Sequence, residues 1–425
     1  MAILETIRNA WKIQDLRKRI ILTLALLALF RVGAFVPVPG VDVHAIQQVA
    51  SAGGLLGLLN LFSGGSLLNF GVLSLGVLPY INASIIMQLL QMIIPKLKEM
   101  AKEGGEQGRR KIAQYTRYLS LFLAILEAFF FLIYLQRSNV AITPDTLLTK
   151  IVIVLSLAVG ALLTLWIGEE ITEKGIGNGV SLIIFIGIVA RLLPGAIQAG
   201  KLITTGELPI PELVIVLIIS LFIIAGVITA YTAERKVPVQ YAKRVVGRRM
   251  YGGQSTFIPL RLIQAGVLPI IFAQAVLMLP VTLAGFIPAL SDFAGVFYNT
   301  QSWIYNLLLF LLIIGFTYFY TSITFNPPEL ADNLQKYGGF VPGVRPGNST
   351  ATYFSKILSR ITLPASIFLG ILAILPNFFM PILGVSGTRF LFGGTSILIV
   401  VGVALETVKQ IEAFMLMRHY EGFLR

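Results

Sequence analysis

Ten segments of this chain are long, apolar and almost free of charge, and a water-soluble fold has no place to bury that many. They run roughly over 20–36, 76–95, 114–135, 150–168, 180–199, 212–233, 263–288, 303–325, 361–382 and 396–415. A helix crosses a bilayer core with about 20 predominantly apolar residues. The runs are continuous rather than alternating, which excludes a strand-built barrel. Composition agrees: 56% of residues are apolar, 12% are charged, and mean hydropathy is +0.84, against roughly 25% charge in soluble domains. The expectation is an all-α polytopic membrane protein with ten transmembrane helices.

The cations orient it. Of 33 Lys and Arg, 27 fall in the termini and the even-numbered loops, five fall in the odd-numbered loops, and Arg31 lies within the first span. Cytoplasmic loops carry the excess of Lys and Arg, so both termini are expected on the cytoplasmic side. The first span follows a basic stretch with Arg8, Lys12, Arg17, Lys18 and Arg19, and no small-residue cleavage site comes after it. Two loops on the basic side exceed what a connector needs. Residues 234–262 alternate apolar and basic residues around a Gly pair, which predicts a hairpin. Residues 326–360 form the second. Their charge suits solvated loops or a docking platform for a large partner, including one rich in RNA.

Catalytic chemistry is missing. With no Cys, thiolate metal sites and thiol nucleophiles are excluded. The two His, His44 and His419, fall on opposite sides of the membrane by this topology. The stretch Gly195–Lys201 fits a phosphate-binding loop until Leu202 takes the place of the required Ser or Thr. Ser386 in Gly-Val-Ser-Gly has no His base within reach. Arg31, Glu127 and Glu406 read as isolated charges within spans, too few for an ion-coupled transporter. No catalytic residue, metal site or cofactor is expected, and energy for any transport must come from a partner. A secondary transporter of a small solute is the alternative reading. Residues 53–71 are uncharged, apolar and Gly-rich. Irregular backbone at membrane depth survives only inside protein or beside a water-filled cavity, so this piece reads as a re-entrant segment, with a surface amphipathic helix as the other option.

Specific strings then narrow the field: FRVGAFVPVPG (30–40), LNLFSGGSL (59–67), LGVLPYINASIIMQLL (75–90), EGGEQGRRKIAQYTRY (103–118), GEEITEKGIGNGVSLIIF (168–185), VQYAKRVVGRR (239–249), QAGVLPIIFA (264–273), NPPELADNLQKYGGFVPGVRPG (326–347) and LFGGTSILIVVGV (391–403). Nearly end to end, the chain resembles the SecY family, the central channel subunits of the bacterial Sec protein-translocation machinery. The resemblance implies two pseudo-symmetric five-helix halves around a central pore. The first half is 20–200, with spans one to five and a plug at about 53–71. The second is 201–415, with loops 234–262 and 326–360. A cytoplasmic amphipathic segment, 1–19, precedes them and a tail, 416–425, follows.

The resemblance also implies functional positions. The pore ring falls on Val77, Ile81, Val180, Ile184, Ile271 and Ile399. The pairs Val77/Ile81 and Val180/Ile184 are spaced i, i+4 and share a helix face; aliphatic side chains at a narrow waist block ions by dewetting. Ile86 reads as a lipid-facing neighbour. The plug carries Gly53, Gly54, Gly57, Leu58, Leu59, Asn60, Phe62, Gly64 and Gly65. Docking of the SecA motor and of the ribosome, through its rRNA, falls on Arg109, Arg110, Lys243, Arg244, Arg248, Arg249 and Arg345. Asn82 and Gln88 on span two and Gln274 on span seven would join a lateral gate. Implied partners are SecE, SecG, preprotein signal sequences and membrane lipid. The implied function is Sec-dependent export of unfolded preproteins and sideways insertion of membrane proteins, in the bacterial plasma (inner) membrane.

Overall fold

In a computed structural model of the chain, the described residues are 11–43, 46, 63, 66–102, 105–137, 144–206, 209–241, 244–246, 249–251, 255–264, 266–284, 297, 302–382 and 394–423. Each of the ten apolar segments is largely helical over its described residues. Helices α1 (Gln14–Gly33), α2 (Leu78–Ile93), α3 (Pro95–Lys102), α4 (Gly105–Arg137), α5 (Leu147–Lys174), α6 (Gly179–Val189), α7 (Leu192–Thr204) and α8 (Ile210–Thr232) lead to four strands, β1 (Glu234–Tyr241), β2 (Arg244–Val246), β3 (Arg249–Tyr251) and β4 (Ser255–Arg261). Then come α9 (Leu268–Ala284), α10 (Trp303–Thr324), α11 (Pro327–Lys336), β5 (Gly339–Phe340), α12 (Asn348–Ile382) and α13 (Gly394–Phe423).

Six helical stretches among the described residues are long and apolar enough to cross a membrane, or seven if α2 and α3 count as one. That pair bends by 106° because Pro95 pushes Ile94 into extended backbone. The fifth span is composite: α6 and α7 form one apolar run across a turn at Ala190 and Arg191.

Several helices run past their apolar stretch. Helix α4 starts at Gly105, so the Gly-Arg-Arg-Lys run sits on helix rather than loop. Helix α12 starts at Asn348, well before the apolar stretch expected from 361. The loop 326–360 is therefore α11, β5, a turn and the first turns of α12. Residues 14–19 belong to α1, not to a separate amphipathic segment, and α13 carries most of the expected tail. Apolar counting misses these extensions because their charged residues face solvent.

The expected hairpin forms. Strands β1 and β4 pair antiparallel with Val237 opposite Ile258, and β2 pairs β3. Strand β5 adds to the other edge of β1, opposite Gln240 and Tyr241, so the two loops on the basic side share one sheet of order β4-β1-β5. Val237, Val239 and Leu260 pack there against Leu334, Val341 and Phe354.

The bundle core is one large apolar cluster drawing on α1, α2, α5, α6, α8, α9, α10, α12 and α13. A second lies between α4 and α5, where Phe70 stacks on Phe131 with centroids 5.7 Å apart. Two glycines permit the closest approaches. A side chain at Gly160 would overlap the Val72 carbonyl, and one at Gly179 would overlap the Gly168 carbonyl. Outward residues such as Leu221 and Phe222 are exposed, which suits helices surrounded by lipid.

Candidate functional site: the waist and the gate

The six expected ring positions lie in or against the same apolar cluster. Val77, Ile81, Ile184, Ile271 and Ile399 are at most 2% exposed and belong to the main core cluster, and half-buried Val180 packs against it. They enter from four helices, each near a helix start. The Ile81 amide donates to the Val77 carbonyl at 3.0 Å, opening α2. The Ile271 amide donates to the Val267 carbonyl at 3.2 Å, near the start of α9. Ile399 lies in the second turn of α13.

The turn that delivers Val180 is held on all sides. Thr23 Oγ1 accepts from the Ile176 amide at 3.0 Å, and Gln410 Oε1 accepts from the Gly177 amide at 2.5 Å. Thr172 Oγ1 accepts from the Gly179 amide at 2.9 Å, and Asn178 caps α6 by accepting from the Ser181 amide at 3.1 Å. Three side chains from three other helices, with the Asn178 cap, thus satisfy amides of the turn and of the helix start, and they fix where the face carrying Val180 and Ile184 points.

A cavity of about 320 Å³ reaches the ring. Ile81, Val180 and Ile271 form part of its wall, and Tyr80, Gln88, Glu169, Thr172, Glu173 and Asn178 supply polar groups. Glu169 accepts from Arg117 Nε at 2.7 Å. The wall therefore combines polar and aliphatic side chains.

A second cavity, of about 250 Å³, lies between α2, α4 and α9 and is almost wholly apolar. Two of its lining residues are polar and joined: Asn82 Nδ2 donates to Glu127 Oε1 at 2.9 Å. Asn82 Oδ1 is buried with no hydrogen-bond partner. Ile86, expected to face lipid, lines this cavity and is 39% exposed.

The three expected gate residues do not bond to one another. Asn82 bonds to α4, Gln88 Nε2 donates to Ser84 Oγ on its own helix at 3.1 Å, and Gln274 Nε2 donates to Thr395 Oγ1 of α13. Gln88 Oε1 and the Tyr320 hydroxyl of α10 are both buried, close together and unbonded. Sequence reasoning passed over Glu127, Tyr320 and Thr395 as partners. The one available signal was that Glu127 is a carboxylate inside an apolar run.

The in-span charges are not isolated, contrary to expectation. Glu127 has Asn82; Glu406 lies near Arg261 and Lys409; the Arg31 guanidinium sits 5.5 Å from the Phe35 ring centroid. On the basic side, Arg109 and Arg110 are exposed on α4, with Arg110 paired to Glu106 at 2.6 Å. Arg345 is exposed in a turn between Gly343 (φ 81°) and Gly347 (φ 92°), where its carbonyl accepts from Thr350 Oγ1 at 2.8 Å. Arg244 and Arg249 lie on β2 and β3. Lys243, Arg248 and the plug positions Gly53, Gly54, Gly57, Leu58, Leu59, Asn60, Phe62, Gly64 and Gly65 lie outside the described residues.

Two cavities, one with polar groups in its wall and one almost wholly apolar, thus adjoin this part of the core. The sequence profile of the SecY family matches residues 71–408. The chain belongs to the SecY family. It is 47% identical to the protein translocase subunit SecY of Mycobacterium bovis over 97% of each chain. Its fold is similar to a solved structure described as "The structure of a protein conducting channel" (TM-score 0.64, 18% identity, 93% of this chain and 91% of that one). It is similar again to "Sec61 in the Canine ribosome-channel complex from the endoplasmic reticulum" (TM-score 0.60, 16% identity, the same coverage). The protein is thus a multi-pass membrane channel subunit for protein translocation, and its family is not one of enzymes.

Proposed function

We propose that Val77, Ile81, Val180, Ile184, Ile271 and Ile399 form the waist through which unfolded preproteins pass, and that the seam between α2, α4 and α9 is where apolar segments leave for lipid. The observation that supports this is that all six aliphatic residues, from four helices, lie in or against one apolar cluster, and three of them, Ile81, Val180 and Ile271, wall a cavity with polar groups. Aliphatic groups conform to any passing chain without demanding hydrogen bonds, as indifference to cargo sequence requires. A segment of about 20 apolar residues gains free energy by moving from the pore into the bilayer. The plug at about 53–71 seals the outer side, within a chain divided into halves 20–200 and 201–415.

The sheet β4-β1-β5 with Arg109, Arg110, Lys243, Arg244, Arg248, Arg249 and Arg345 is the docking face for the SecA motor and the ribosome. A neighbour in a ribosome-bound complex supports the second. SecE and SecG are its small subunits. Both termini are cytoplasmic, and the membrane is the bacterial plasma membrane. The test is reconstitution of the chain with SecE and SecA, reading protease protection of a preprotein. Protection is expected with wild type and is lost with Arg345→Glu at equal channel abundance. No protection with wild type would overturn the reading.

A further inference from the structure

The charge count assigns Arg191 to the loop after span five although it falls within the apolar run 180–199, and the fold places it in the span. It stands at the turn between α6 and α7, near the middle of the helical run from Gly179 to Thr204 and about 18 Å along it at ~1.5 Å per residue. The backbone barely breaks there: the Ala190 amide donates to the Ile186 carbonyl at 2.9 Å, and the Gly195 amide donates to the Arg191 carbonyl at 3.1 Å. Arg191 is therefore a residue of the span, not of a loop.

Its face is set by the ring. Arg191 follows Ile184 by seven residues and Gly187 by four, so it continues the stripe of Val180 and Ile184. Helical side chains lean back toward the preceding turn. At that turn Gly187 has no side chain to occupy the space, which leaves the guanidinium free to lean toward the waist. The head is part-buried, and its Nη1 is buried with no hydrogen-bond partner. No carboxylate among the described residues pairs with it. A guanidinium unmatched within a span is costly and faces a cavity or the bundle interior rather than lipid.

We propose that Arg191 is the electrostatic selectivity element of the pore. Set just beyond the aliphatic waist, on the side opposite the polar cavity, it favours small anions and opposes the leak of monovalent cations when the waist opens. A fixed positive charge in a narrow, low-dielectric passage repels cations well beyond contact distance. This rests on the waist reading above, and the experiment separates the two.

Opening the waist with Ile184→Ser and Ile271→Ser and recording single channels of the full chain under a tenfold KCl gradient gives the chloride-to-potassium permeability ratio. The ratio is expected to exceed one with Arg191, to persist in Arg191→Lys, to fall at least threefold in Arg191→Gln and to invert in Arg191→Glu. Equal ratios across Arg, Gln and Glu in conducting channels would overturn the proposal while leaving the waist intact. If the serine variants conduct no better than wild type, the waist reading fails and thiol labelling decides for Arg191. The chain has no Cys, so Arg191→Cys can be challenged with a membrane-impermeant thiol reagent from the side away from the basic loops, with Thr205→Cys as the labelled control. Modification at 191 supports an aqueous pore position, and protection beside a labelled control overturns it.

Discussion

The waist and the gate seam lie within a few helical turns of each other, and α2 contributes to both. Their chemistry is opposite. The proposed waist is aliphatic packing, with five of its six residues at most 2% exposed. The seam around the apolar cavity instead holds a directed polar contact, Asn82 to Glu127, beside the unpartnered Asn82 Oδ1. Non-directional packing reseals after any cargo has passed, because nothing needs to realign. Directed contacts close in one geometry, so they set a threshold that an entering apolar segment must exceed. The comparison teaches that one barrier is built for tolerance and the other for discrimination.

The largest expected effect comes from making the waist polar. Replacing Ile81, Ile184 and Ile271 together with Ser should raise ion conductance at least tenfold in planar bilayers. Burying each such aliphatic side chain is worth roughly 1.5–3 kcal/mol. Leu221→Ser, at a residue 66% exposed on α8, should be silent; Ile86 no longer serves as the outward control, since it lines the seam cavity. Equal conductance from both sets would dissolve the distinction.

Next is Gly179→Ala. A methyl group there must move the Gly168 carbonyl, displacing Val180 and costing about 1–3 kcal/mol for overpacking. A lowered melting temperature together with ion leak is expected. A lowered melting temperature without leak would separate the α5–α6 packing from the seal.

On the seam, Asn82→Ala removes the donor to Glu127. Interhelical hydrogen bonds in membranes average about 0.6 kcal/mol and reach ~1.7, so export of a precursor with a defective signal should rise about threefold, with ion conductance at rest unchanged. A conductance rise of the size seen at the waist would merge the two barriers into one.

The smallest effect has the opposite sign. Tyr320→Phe removes a buried hydroxyl that has no partner. Relieving such a group gains up to about 1 kcal/mol, so signal-defective export should fall by less than fivefold. An increase would mean that Tyr320 bonds to Gln88 in the closed gate.

Much of this was legible in the letters. Ten apolar runs specified ten largely helical segments and alternation specified the β1–β4 hairpin, but the 106° bend after α2 was not expected. Convergence of the ring was not readable from spacing: Val77 and Ile399 are over 300 residues apart in the chain, and only resemblance joined them. The Asn82–Glu127 contact spans 45 residues, and nothing local in either helix requires it. The addition of β5 to β1 was also hidden, because two residues carry no periodicity. Arg191 was counted with a loop although it lies inside the run 180–199, because a single cation near the end of an apolar run reads as its boundary until the backbone around it proves helical.

Helix α12 has a mechanical consequence. It is a continuous 35-residue rod, about 52 Å long at ~1.5 Å per residue. One end buries Phe354 in the small cluster beneath the sheet, and farther along Ala365, Leu369, Leu372 and Ala373 pack in the main core. Between the two grips the helix runs on through Pro364, which removes one backbone hydrogen bond without ending it, so a load on one end is carried to the other. Force applied to the sheet by anything that grips it arrives in the bundle as tilt of the ninth span, with the rod's own length as the moment arm. A push of a few ångströms outside the membrane becomes a smaller, stiffer displacement inside it, the behaviour of a crowbar rather than a tether.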